Sequence, residues 1–77
     1  MSNDEVARAT QAHELLTDEK RELDSKIDKL ERFTRTPNFS SLDRIARALM
    51  RQQVDVMREY SGLLARRIEL ISRGIMP

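Results

Sequence analysis

The sequence predicts an all-α fold, a short N-terminal helix followed by an antiparallel two-helix hairpin that assembles as a homo-oligomer. Three observations carry this. Apolar residues recur at three- and four-residue spacing along nearly the whole chain, and the clear cluster of turn-forming residues, Thr36-Pro37-Asn38-Phe39-Ser40, lies near its middle. With three aromatics and two glycines among 77 residues, a sheet is disfavoured.

The elements follow in order within one domain, 1–77. Ser2 followed by Glu5 has the form of a capping box, so a helix can start at Asn3 and run to about Leu16. Thr17, with Asp18 and Glu19 behind it, offers a second N-cap, which predicts a kink and restart, giving an N-terminal helix over 1–16 and a first hairpin helix over 17–35. In that helix Leu23, Ile27 and Leu30 form the stripe, widened by Phe33. Its outer face carries Glu22 with Lys26, Asp28 with Arg32 and Glu31 with Arg35, acid four residues before base, each pair stabilising by roughly 0.3 kcal/mol. Proline at 37 disfavours helix at Thr36, so 36–40 is the turn. Ser40 or Ser41 caps the long second helix, 41–73, with Asp43 placed to complete a box; Gly74 and Pro77 end it. Gly62 interrupts it at a cost of about 1 kcal/mol against alanine, or permits a close helix approach.

The long helix carries two apolar stripes. One is Leu42, Ala46, Leu49, Val56, Tyr60, Leu63 and Leu70; the other is Met50, Val54, Met57, Leu64, Ile68, Ile71 and Ile75, offset by about 100°. A single partner helix cannot cover both, so the second stripe is assigned to association between copies. A chain this small also buries too little surface to be comfortably stable alone. Folding back near Asn38 places Leu23 beside Gln53, Leu16 beside Tyr60, His13 beside Leu63 and Ala9 beside Arg67.

Composition narrows the chemistry. The absence of cysteine excludes a disulfide framework and a thiolate metal site, and leaves the cytosol as the default compartment. The acidic start and short uncharged stretches predict neither signal peptide nor membrane span. Net charge is +1, but residues 38–77 hold seven basic and four acidic side chains, and all seven bases are arginine, suited to planar contact with carboxylate or phosphate. The face Arg44, Arg47, Arg51, Arg58, Arg66 and Arg73 is diluted by Asp43, Asp55, Glu59 and Glu69, which disfavours duplex nucleic acid as a partner. His13 has no Glu-x-x-His partner, and no phosphate loop, nucleophile elbow, zinc-protease motif or calcium loop occurs. The expectation is a non-enzyme with no metal and no cofactor.

Polar residues interrupt the seam between the two arms. His13 and Lys20 fall at stripe positions of the first arm; Gln53, Tyr60 and Arg67 fall in the first stripe of the long helix. They admit a structural interpretation, with Gln53 setting register, Lys20 and Arg67 snorkelling from the rim, and Tyr60 in the core with its hydroxyl at the surface. They also admit a functional one, a concave site near the open end of the hairpin, completed by another subunit, where Tyr60 stacks on a base while Lys20 and Arg67 meet phosphate oxygens.

The arrangement Glu19, Glu22-Leu23, Lys26, Lys29-Leu30, Phe33, Phe39, Leu42, Leu49-Met50, Gln53, Met57, Tyr60, Leu64 and Arg67-Ile68 resembles a family of small phage helical-hairpin proteins over residues 16–70. That family is similar in architecture to phage sponges that sequester the cyclic oligonucleotide messengers of bacterial immunity, of the anti-CBASS type. The resemblance implies a homo-oligomer of interlocked dimers, non-catalytic binding of a cyclic di- or trinucleotide between subunits, and a place in the cytoplasm of the infected bacterial host. It adds Lys26 to the ligand-binding set of His13, Lys20, Gln53, Tyr60 and Arg67. Where such sponges carry a Gly-Tyr-Arg-like segment in the first helix, this chain has Ala12-His13-Glu14, which makes His13 the candidate ring there. The alternative function is a non-enzymatic oligomeric module that docks a helix of a host or phage protein on its methionine-bearing stripe.

Overall fold

A computed structural model describes residues 2–74 as a helical hairpin with principal extents of 57 × 14 × 13 Å. It contains α1 (Asn3–Phe33), the single-turn α2 (Pro37–Ser40) and α3 (Arg44–Ser72). None of these helices is long and apolar enough to cross a membrane.

The start of α1 follows the sequence signal. The Ser2 hydroxyl accepts from the Glu5 backbone N–H, and the Glu5 carboxylate accepts from the Ser2 N–H, so two otherwise orphaned donors are satisfied. The expected kink at Thr17 does not occur, and the separate helices over 1–16 and 17–35 are one continuous helix. Thr17 donates its hydroxyl to the His13 carbonyl at 2.7 Å, one turn back, so its side chain is spent inside the helix and does not cap a new one.

The connection is longer and more ordered than a tight turn. Thr34 ends α1, and its hydroxyl donates to the Glu31 carbonyl at 2.6 Å. Thr36 caps α2 by accepting from the Phe39 N–H at 3.3 Å, with Pro37 in the first helical position, where its missing N–H costs nothing. Asp43, not Ser40 or Ser41, caps α3, its carboxylate accepting from the Ile45 N–H at 3.0 Å. Gly74, at φ 82°, supplies the left-handed residue that stops the C-terminal end. Pro77 and Ile75 lie outside the described residues.

Phe39 plugs the closed end, almost wholly buried. Its ring meets Phe33 edge-to-face at 6.0 Å between centroids, and the Arg51 guanidinium lies over it at 5.0 Å.

Because α2 and its flanks occupy the bend, the arms fold back later than Asn38. The register therefore moves about two turns toward the C-terminus from the sequence expectation. Leu16 packs with Leu64 and Ile71, with Ala9, Ala12, Leu23 and Ile68 against them, while Asp24 meets Ser61. At 31 and 29 residues the arms are matched in length, so α1 spans α3 without a break.

The register also decides which stripe is covered. Met50, Val54, Met57, Ser61, Leu64, Ile68 and Ile71 form the inner seam, buried or half-buried against α1. The stripe assigned from sequence to association between copies is thus occupied within the chain. The other one faces solvent, with Leu49 60 %, Val56 55 %, Leu63 53 % and Leu70 42 % exposed, and Ile45 joins it.

Candidate functional site

The sequence-nominated residues divide between the two flanks of the seam. Glu19 and Lys20 are successive residues, so they leave α1 about 100° apart; Glu19 reaches Tyr60 on α3, whereas Lys20 pairs along α1 with Asp24, which in turn meets Ser61 of α3. On one flank the Tyr60 hydroxyl donates to the Glu19 carboxylate, and Tyr60 keeps part of its ring in solvent. On the other flank Lys20 donates to Asp24 at 2.7 Å, and the second oxygen of Asp24 accepts from the buried Ser61 hydroxyl at 2.5 Å. Tyr60 and Lys20 therefore do not share one pocket within a single chain.

The electrostatics of the second flank are those of a satisfied polar network. The hydrogen bond from Lys20, followed by that from Ser61, holds the Asp24 carboxyl below the usual carboxylate range. Sequence reasoning passed over both Asp24 and Ser61. The usable signal was Ser61 itself, a hydroxyl at a seam position between Met57 and Leu64, which needs a partner from the facing helix once buried.

Gln53, Tyr60 and Arg67 repeat at seven-residue spacing and are all exposed on α3. Gln53 reaches Met57 Sδ at 3.9 Å, a weak contact along its own helix. Among the described residues Arg67 makes no ion pair. His13 lies near the open end, half-buried, lining a shallow cleft of about 300 Å³ with Ala9, Thr10, Glu14, Ile71 and Ser72. Lys26 lies away from both, on the outer face of α1, where it lines a surface recess of about 400 Å³ with Arg21, Glu22, Ser25 and Lys29.

Other charges serve the hairpin. Of the three pairs expected on the outer face of α1, Asp28 with Arg32 forms at 2.6 Å. Glu31 instead crosses the seam to Arg58, because the register brings that guanidinium within reach. Arg58 also lies 3.6 Å from Asp55, and Arg73 pairs with Glu69 at 3.5 Å, so two members of the arginine face are engaged with neighbouring acids.

Fold and surface together define a small all-α hairpin whose candidate binding groups lie on open flanks and shallow clefts. The chain belongs to the Sequestin family, whose model matches residues 11–70, most of α1, the turn and nearly all of α3. Membership points to a sequestering function exercised on a bound partner. No curated protein and no solved structure matches the chain.

Proposed function

We propose that this chain is a phage anti-defence protein that binds cyclic di- or trinucleotide messengers of bacterial immunity and withholds them without catalysis, in the cytoplasm of the infected host. Family membership supports the sequestering part. The observation that carries the ligand class is the row Gln53, Tyr60 and Arg67, an amide, an aromatic ring and a guanidinium repeating along one solvent-facing strip of α3.

The chemistry fits a flat polyanion. Stacking a base on an aromatic ring contributes about 1–3 kcal/mol, and a guanidinium contacts a phosphate through two parallel hydrogen bonds. A sequestering protein acts by mass action, so it must bind with about −8 to −12 kcal/mol to hold a messenger present at nanomolar to micromolar levels. One ring and one guanidinium fall short of that. A homo-oligomer supplies the remainder by presenting two rows to one ligand, with Lys26 and His13 as further contacts. Lys20 joins only if phosphate displaces Asp24 from its ammonium.

Native mass spectrometry against a panel of cyclic di- and trinucleotides tests this. Uptake at a fixed ratio of ligand to chains is expected, with the nucleotide recovered intact after prolonged incubation. A stable protein that takes up none of the panel overturns the proposal, and a cleaved nucleotide overturns its non-catalytic part. The competing function, a module that holds a host or phage protein, is favoured by the exposed apolar face of α3, which nucleotide binding does not need.

A further inference from the structure

The outer face of α3 carries a strict seven-residue repeat, Leu49, Val56, Leu63 and Leu70, every member at least 42 % exposed. Its three heptads span about 32 Å, most of the length of the helix. By contrast, the outer face of α1 bears charged pairs such as Asp18 with Arg21 and Asp28 with Arg32, as a solvated surface does. We propose that this face is covered by α3 of a second copy running antiparallel, with the two-fold axis at Val56.

Self-association is favoured over a foreign helix by the symmetry of the repeat. Leu49 and Leu63 stand at equal distances on either side of the smaller valine, so an antiparallel copy sets Val56 against Val56 and Leu49 against Leu63. That is the self-complementary patch a two-fold dimer requires. The hairpin also needs such cover, because its described core has only six buried apolar side chains, Leu16, Ile27, Phe39, Val54, Leu64 and Ile71.

The charges choose the direction. Glu59 and Arg66 each stand three residues beyond a repeat member, beside the seam. A parallel pairing at equal register sets Glu59 against Glu59 and Arg66 against Arg66, both repulsive. The antiparallel pairing sets Glu59 beside Gln53 of the second copy and Arg66 beside its Ala46, so neither of these like-charge contacts forms. It also places Tyr60 of each chain near Gln52 and Gln53 of the other, so the row described above becomes an element shared between chains.

Sedimentation of the full chain without nucleotide gives the first measurement, and it is independent of whether any nucleotide binds. The expected mass is twice the 9.0 kDa of the chain or a higher even multiple, and a monomer at 100 µM overturns the proposal. Leu63→Glu should halve the mass while far-UV circular dichroism stays helical; an unchanged mass overturns the choice of face. Because the chain has no cysteine, disulfide trapping settles direction even if that variant unfolds. Leu49→Cys mixed with Leu63→Cys should cross-link under mild oxidation, whereas neither alone should. Cross-linking of Leu49→Cys with itself shows a parallel pair and overturns the antiparallel assignment.

Discussion

Asp24 on α1 and Ser61 on α3 join the two arms of the hairpin through a 2.5 Å hydrogen bond at the point where a hydroxyl takes the place of an apolar side chain in the seam. The bond ties one register to one pairing, because a slide by a turn would bury the Ser61 hydroxyl without an acceptor. Ser61→Ala should lower stability by about 1 kcal/mol, the usual net worth of such a bond. Urea titrations of the two proteins measure it, and an unchanged midpoint would mean that water replaces the contact at no cost.

The same network sets an acid limit. The Asp24 carboxyl is held below its ordinary value in the folded chain, so its contribution is present above the unfolded pKa of about 3.9 and is lost as pH falls through the lower folded value. Thermal midpoints should therefore decline below about pH 4. Asp24→Asn should flatten part of that decline; a variant with the parent's full pH dependence would place the effect in other carboxylates.

Gly62 offers a gain. Its φ is not positive, and a Cβ added there meets nothing within 4 Å, so no close helix approach depends on it. Gly62→Ala should stabilise the hairpin by about 1 kcal/mol through helix propensity alone. A loss in the thermal midpoint instead would reveal a neighbour packed on that side in the assembled protein.

The core responds in the opposite sense. Leu64 is completely buried, and truncation to alanine should cost about 2–5 kcal/mol, a large part of the stability of so small a domain. Circular dichroism melts should show most of the cooperative transition lost or shifted far down. Phe39→Ala should cost about 3–5 kcal/mol for the same reason, since its ring is the plug of the closed end.

Tyr60 separates ring from hydroxyl. Its bond to Glu19 is at the surface, so Tyr60→Phe should leave both stability and nucleotide uptake nearly unchanged, within about 0.5 kcal/mol. Tyr60→Ala and Arg67→Ala should each weaken uptake in native mass spectrometry while the helical content is kept. Equal loss with Tyr60→Phe would assign the binding role to the hydroxyl.

Helix content was legible from local signals. The reciprocal Ser2 and Glu5 cap, the break at Thr36-Pro37 and the stop at Gly74 each depend on residues within a few positions of one another, so the sequence states them directly. Thr17 shows the limit: its cap-like context was real, but its hydroxyl found the His13 carbonyl inside an uninterrupted helix. The candidate site was legible as residue types and not as a place. His13, Lys20, Gln53, Tyr60 and Arg67 were nominated together, yet Lys20 turns to Asp24 and Tyr60 to Glu19, because neighbouring helix positions diverge by about 100°.

By itself the sequence determined that α3 has two apolar stripes, since the spacing of those residues fixes their angles around the helix. Which stripe meets α1 was decided only in three dimensions. The helical turn Pro37–Ser40, closed by Phe39, delays the return of the chain and selects a register in which Met50 to Ile71 face inward. Both stripes are apolar enough to bury. The geometry of the bend, and the pairing of Ser61 with Asp24, is the physical reason that one is core while the stripe from Leu49 to Leu70 faces solvent.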